Sequence, residues 1–362
     1  MLMKRIGLLN PFIPHYREEF YRKLGERYPL EVFVYEQEQG SRGGFRVSGF
    51  PVTPIKSVSF LKKRFIAYDI RPFLSSRYDV LVLMLNFGHL STWLLLLLNM
   101  FSRKRIILWG QGISIKRYTK ELRQPSRPLR WMLALANGAW IYTEREADLW
   151  RQRFPQKAIQ AINNTISGVA DILSREISVP KETLKARFGI TEPICLIFCA
   201  RFNNPYRRID LLLETIMRLD AKRYGFIIIG DGAAKPDFSG FGNVHDFGAV
   251  YDEKTKAVLF RIADIYFQPG WIGLSVVEAM AYGKPILTFR RSDQTLQCVE
   301  YHYIQGGVNG YIADEMDELI QRIEETPPET WEALGKASRE LVEKTLLMEQ
   351  MVDRAAEVID AL

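Results

Sequence analysis

Short apolar runs alternate with longer amphipathic stretches along almost the whole chain. In the first half, Ile6–Leu9, Glu31–Tyr35, Val80–Leu85, Ile106–Trp109, Ala139–Tyr142 and Ile159–Ile162 have the length and near-continuous apolar character of strands buried on both faces. Tyr16–Arg27 and Leu129–Asn137 carry helical spacing between them. The second half repeats the style. Ile194–Ala200, Phe226–Ile229, Ile265–Gln268 and Pro285–Thr288 read as strands, and Leu211–Leu219, Lys254–Ala263 and Ser275–Tyr282 as helices. This alternation predicts an α/β fold of two doubly wound domains in tandem. The expected organisation is a first domain over residues 1–170, a second over 171–345 and a C-terminal helix over 346–362. The boundary falls within 167–190, where the charged run Pro180–Arg187 reads as a surface helix.

The most apolar stretch, Leu90–Phe101, is 12 residues long, well short of the roughly 20 needed to cross a bilayer. It reads as a buried helix, with an interfacial helix as the alternative. Three cysteines in 362 residues exclude a disulfide scaffold and point to a reducing compartment. No signal-peptide pattern opens the sequence, so the expected location is cytoplasmic, with peripheral attachment to the inner membrane face as an extension. Charge sharpens this picture. Residues 1–175 hold 28 Lys and Arg against 13 Asp and Glu, whereas 176–362 hold 21 against 29. Between 103 and 130, nine basic side chains meet a single acid, Glu121. Such a surface is either a solvated basic face or a site for an anionic partner: lipid headgroups, a lipid-linked phosphate, an acidic glycan or nucleic acid.

Three segments carry candidate chemistry. Gly270-Trp271-Ile272-Gly273-Leu274-Ser275-Val276-Val277-Glu278 leaves a predicted strand, turns on glycine and opens a helix. Free N–H groups at a helix start suit a phosphate or diphosphate. Ser275 and Glu278, three apart, also fit a capping box with Ser275 as N-cap. Arg201-Phe202-Asn203-Asn204-Pro205-Tyr206-Arg207-Arg208 places cations on a loop at the end of another strand, where guanidinium groups can grip phosphate oxygens. Gly230-Asp231-Gly232 ends a third strand and, alone, is only a turn.

In this order, the arginine loop, Gly-Asp-Gly and Gly273-Leu274-x-x-x-Glu278-Ala279-Met280-Ala281-x-Gly283-x-Pro285 resemble the family-four retaining glycosyltransferases of the GT-B fold, in a branch of the bacterial surface-polysaccharide type. In the first half, Asn10–Arg17 is similar to the family's first-strand loop, and Trp109-Gly110-Gln111-Gly112 to a loop that often reads Trp-Gly-His-Gly. The resemblance implies two Rossmann-like domains across a cleft, with the donor nucleotide-sugar on the second and the acceptor on the first. It implies that Arg201 and Arg207 hold the diphosphate, with Arg208 as the alternative second cation because the loop is one residue longer than usual. Gly273, Leu274 and Ser275 would bind phosphate, Glu278 the ribose hydroxyls, and Gly230, Asp231 and the loop through Val250 the rest of the donor. Glu300 either touches the donor sugar or stands exposed. Pro14, His15 and Gln111 would line the acceptor side, and the C-terminal helix would cross back to the first domain.

Two departures stand out. The family's usual first glutamate, eight residues before Glu278, is here Gly270, within a Pro269-Gly270 pair. Gln111 replaces the loop histidine, and an amide cannot act as a general base. No Asp-x-Asp pair occurs, which fits a site needing no metal or other cofactor. The expected function is therefore transfer of a sugar from a nucleotide-diphosphate donor to a saccharide or lipid-linked saccharide, at an anionic membrane surface reached through the basic first domain. The alternative is an inactive relative that binds nucleotide-sugar or glycan as a scaffold. A nucleic-acid partner has only the basic charge in its favour, with no recognition motif.

Overall fold

The computed structural model describes residues 3–36 and 49–362. They form two compact units, one of residues 1–168 with 348–362 and one of residues 169–347. The C-terminal helix Met348–Ala361 therefore belongs to the first unit, where Met351, Val352, Ala355 and Ile359 pack among Phe20, Leu24, Val82 and Trp140.

The first unit is built on a parallel sheet whose strands are β1 (Ile6–Asn10), β2 (Leu30–Val34), β3 (Val52–Pro54), β6 (Val80–Met84), β7 (Arg105–Gly110), β8 (Gly138–Ile141) and β9 (Ala158–Ala161). Their order is β3-β2-β1-β6-β7-β8-β9. Between β3 and β6 lies an antiparallel hairpin of β4 (Ser57–Phe60) and β5 (Phe65–Tyr68). β4 is exposed and mixes serines with Val58 and Phe60, while β5 is a short, half-buried apolar run, so neither stands out as a buried strand in the hydrophobic pattern. The second unit's parallel strands are β10 (Ile194–Cys199), β11 (Tyr224–Ile229), β12 (Val244–Asp246), β13 (Ile265–Phe267), β14 (Ile286–Phe289) and β15 (Gly310–Ala313). They are ordered β12-β11-β10-β13-β14-β15.

In each sheet the order reverses once: between β1 and β6, and between β10 and β13. Loops diverge at such a switch point and leave a crevice beyond the carboxyl ends of the strands, where open α/β sheets bind ligands. The strands read from the sequence are present because their side chains are buried on both faces: all six residues of β11 are buried, as are all five of β1.

The helix expected over 346–362 is Met348–Ala361, and a separate helix, Pro328–Thr345, precedes it. One expectation needs correction. The stretch Leu90–Phe101 is not a buried helix. Leu95 and Leu96 enter the core, but Leu90, Leu94, Leu97, Leu98, Met100 and Phe101 are exposed. An apolar sequence does not specify which of its faces the rest of the protein covers. Among the described residues no helix is long and apolar enough to cross a membrane.

Candidate active site

The donor-side residues converge at the switch point of the second sheet. Arg201 follows β10, Gly230 follows β11, Val250 lies beyond β12, and Gly270–Ser275 follow β13. The glycines of Gly230-Asp231-Gly232 make this convergence possible. A Cβ at Gly230 would lie 2.0 Å from the Ala200 carbonyl oxygen, and one at Gly232 would lie 2.1 Å from Asn203 Oδ1. Their φ angles, 146° and 153°, also favour glycine. The turn therefore lies flat on the arginine loop: the Phe202 N–H donates to the Asp231 carbonyl (3.0 Å), and the Ala233 N–H donates to Asn203 Oδ1 (3.0 Å). On the other side the Gly230 N–H donates to the Gly248 carbonyl (2.7 Å), drawing in the loop that carries Val250. The Asp231 carboxylate itself is exposed, 3.8 Å from Lys235.

Two buried glutamines hold the loop after β13. Gln268 donates to the carbonyls of Gly270 (3.0 Å) and Trp271 (2.9 Å), and accepts from Tyr266 (2.6 Å) and from the Ser275 hydroxyl (3.1 Å). Gln297 accepts from the Ile272 N–H (2.9 Å) and donates to the Phe289 carbonyl (2.9 Å). Neither stood out in the sequence, although Gln268 ends an otherwise apolar strand. With the loop fixed this way, the N–H groups of Gly273, Leu274 and Ser275 have no hydrogen-bond partner among the described residues. Adjacent N–H groups of this kind form a concavity for an anion.

The capping box expected of Ser275 and Glu278 does not form. Leu274 is the N-cap of the helix Ser275–Ala281, and the Ser275 hydroxyl turns to Gln268. Glu278 instead pairs through Oε1 with Lys256 Nζ at 2.9 Å. Lys256 also binds Glu253 (2.9 Å). Burial works against the Lys256 charge, but the two carboxylates outweigh it and raise its pKa, so it stays an ammonium. One Glu278 oxygen is thus held by a fixed cation. Lys256, 22 positions away on another helix, was not identifiable from the sequence.

The arginine loop distinguishes its own cations. Arg208 adopts φ 54°, in the left-handed region, which costs a non-glycine residue roughly 1–2 kcal/mol. Its guanidinium turns to Asp210 (2.6 Å) and the Thr295 hydroxyl (2.6 Å). Arg207 points the other way. Its Nε and Nη1 are buried and, among the described residues, have no partner. Burial, with the nearby Arg201 charge, lowers its pKa. Of the two candidate second cations, Arg208 is thus paired with Asp210, whereas Arg207 makes no ion pair among the described residues. Arg201 is exposed and, among the described residues, makes no ion pair.

The structure leaves no room for a side chain at position 270. A Cβ there would sit 2.5 Å from the Tyr206 carbonyl oxygen and 3.0 Å from Arg208 Cγ. The arginine loop occupies the space, and Tyr206 stacks on Trp271 (centroids 5.0 Å apart, 23° between planes). Trp271 itself has φ 52°. Gly270→Glu should therefore damage the site rather than complete it. We expect a melting temperature lower by several degrees, equivalent to about 1–3 kcal/mol, measured by thermal unfolding. An unchanged melting temperature would show that the loop yields easily.

Glu300 is 4% exposed, in the short helix Val299–Tyr303, so of its two expected alternatives the exposed one does not hold. On the first unit, Pro14 and His15 follow β1 and Gln111 follows β7, at the same carboxyl edge with β6 between them. Pro14 is buried, His15 exposed and Gln111 half-buried. Gly112 must be glycine: its φ is 72°, and its carbonyl accepts from Trp150 Nε1 at 2.8 Å. The buried Arg17, stacked over Trp109 (4.6 Å) and Tyr142 (5.1 Å) and bound to Asn164 (2.6 Å), braces this edge. Among the described residues no group of three or more His, Cys, Asp or Glu is placed to hold a metal ion.

Two doubly wound parallel units, with a cationic loop and a glycine-rich helix start at one switch point, define the GT-B glycosyltransferase architecture. Residues 193–326 match the family model described as glycosyl transferases group 1, so the resemblance read from the motifs holds for the second unit. The whole chain matches the fold of HepE from Anabaena, crystallised with UDP, at a TM-score of 0.69, with 14% identity over 99% of this chain and 100% of that one. WaaB, a lipopolysaccharide outer core galactosyltransferase, aligns at 0.65 with 12% identity over 99% of each chain. WaaG, a glycosyltransferase involved in lipopolysaccharide biosynthesis, aligns at 0.60 with 15% identity over 98% of this chain and 99% of that one. No curated protein matches by sequence.

Proposed function

We propose that this protein transfers a sugar, with retention of anomeric configuration, from a nucleoside-diphosphate donor to a hydroxyl of a saccharide or lipid-linked saccharide. The observation that carries this reading is the Arg207 guanidinium, whose Nε and Nη1 are buried without a partner among the described residues, near Arg201, together with the N–H groups of Gly273–Ser275 that have no partner among those residues. A buried cation without a carboxylate is costly, and a diphosphate supplies the missing counter-charge. These groups would stabilise charge on the departing diphosphate as the bond from the sugar C1 to its oxygen breaks, in a site that needs no metal ion. The acceptor oxygen would form its bond to C1 on the same face. Its proton would pass to the departing phosphate oxygen, since Gln111 cannot accept it. Glu278, held by Lys256, would take the ribose hydroxyls with its second oxygen.

HepE is also crystallised with UDP-glucose, which makes uridine donors the first to test. WaaB and WaaG act in lipopolysaccharide synthesis, which supports a surface glycan as product. The excess of cations in residues 1–175 would draw the enzyme to an anionic membrane face where such acceptors reside. Donor turnover is the test. Incubation with a panel of nucleotide-sugars and an acceptor mixture should release one nucleoside diphosphate with a new glycoside of retained configuration, read by NMR. Binding of a donor with no release over long incubation would favour the inactive scaffold.

A further inference from the structure

Apart from Ser91 and Thr92, which are buried and bonded to Tyr68, the helix Leu90–Leu98 is apolar, yet only one face is covered. Leu95 and Leu96, with Trp93, pack against Leu129, Met132 and Leu133 of the neighbouring helix Arg127–Leu135. Leu90, Leu94, Leu97, Leu98 and Phe101 recur at helical spacing along the outer face, and Phe101 is 91% exposed. A continuous stripe of this kind is uncommon on a monomeric soluble surface and marks an interaction site.

Its surroundings specify the partner. The neighbouring helix exposes Arg127, Arg130 and Trp131 on one face. Arg103 follows the far end of the stripe and is also exposed. At the near end, β5 is tied to the start of the helix by the Ile66 N–H donating to the Gly88 carbonyl (2.9 Å) and by Phe65 against Phe87. The hairpin tip there presents exposed Leu61, Lys62, Lys63 and Arg64. From Val80 to Thr143 the sequence has one acid, Glu121. That carboxylate is buried and bound by Arg117 and the Ser114 N–H. The result is an apolar stripe flanked by cations and tryptophan, with no exposed carboxylate on these segments. Two copies meeting through it would bring their arginines together, whereas an anionic leaflet satisfies both the leucines and the cations.

We infer that the Leu90–Phe101 face of the first unit docks into an anionic lipid bilayer, with Leu94, Leu97 and Phe101 entering the acyl boundary and Arg103, Arg127 and Arg130 meeting the headgroups. This goes beyond attraction through the basic surface alone, and it does not depend on the donor-site reading.

The test is co-sedimentation of the full chain with phosphatidylcholine vesicles with and without about one-third phosphatidylglycerol, at low salt and at about 0.5 M NaCl. Binding should require the anionic lipid and persist in part at high salt. The triple variant Leu94→Gln, Leu97→Gln, Phe101→Gln should bind about tenfold or more weakly, and Phe101→Gln alone should weaken binding measurably. The melting temperature should not change, because all three side chains are exposed. Brominated lipids should quench the Trp131 contribution to fluorescence, assigned by Trp131→Phe. Wild-type protein that binds no vesicle, binding abolished entirely by salt, or a triple variant that binds as wild type would overturn the inference. So would a dimer in light scattering that the triple variant dissociates, which would make the face a contact between copies. None of these assays involves a donor, so their failure leaves the proposed reaction untouched.

Discussion

Arg207→Ala should lower sugar transfer by about a hundredfold or more, with the melting temperature unchanged or raised. The two halves of this expectation come from one observation. Nε and Nη1 of Arg207 are buried without a partner among the described residues, so in the free protein the guanidinium incurs a desolvation cost that no carboxylate offsets. Removing it relieves the folded state. Once a diphosphate is bound, the same group would supply a cation not committed to a carboxylate, and its loss would fall on the transition state, where phosphate charge grows. Arg208→Ala is the contrasting variant. Its guanidinium binds Asp210 and Thr295, so its loss should destabilise the loop while slowing transfer much less. Steady-state kinetics and thermal unfolding of the two variants check both halves. Equal rate losses, or a larger loss for Arg208→Ala, would contradict the assignment.

The second large effect concerns Glu278. Glu278→Gln should weaken binding of a ribonucleoside diphosphate by about tenfold to a hundredfold, the range for hydrogen bonds to a charged group. The 2′,3′-dideoxy analogue, already lacking the hydroxyls, should bind wild type and variant alike. Lys256→Met should act in the same direction and more weakly, because it frees the Glu278 carboxylate to rotate without removing it. Calorimetric titration of both nucleotides against the three proteins measures this directly. An equal loss for both nucleotides would assign Glu278 a structural role only.

Much of the second unit was legible in the sequence because its chemistry lies where buried strands end. β10, β11 and β13 are continuous apolar runs, so the arginines and glycines that follow them stand out. The sequence reading put Arg207 first with Arg208 as the alternative, but the structural difference between the two was not visible at that level. It depends on one backbone angle, the positive φ of Arg208, and on the accident that Asp210 lies within its reach. Lys256, Gln268 and Gln297 were invisible for a similar reason: each acts through a contact made between elements distant in sequence. The local pattern Ser-x-x-Glu misled because Gln268 and Lys256 compete successfully for its two side chains. In the first unit, apolar composition located the helix Leu90–Leu98 but said nothing of its uncovered face. The hairpin β4–β5 was missed because β4 is exposed and the apolar run of β5 is only four residues long.

The central claim is that Arg207 and its neighbours form a binding site for a nucleoside diphosphate. The most direct measurement is the melting temperature of the wild type and Arg207→Ala across a panel of nucleoside diphosphates and nucleotide-sugars, with UDP and UDP-glucose first. A ligand present at a hundred times its dissociation constant adds about 2.7 kcal/mol of stability, a shift of several degrees. The account predicts such a rise for at least one nucleotide with the wild type, and its loss in Arg207→Ala. No rise with any nucleotide, or a rise that Arg207→Ala keeps in full, would contradict it.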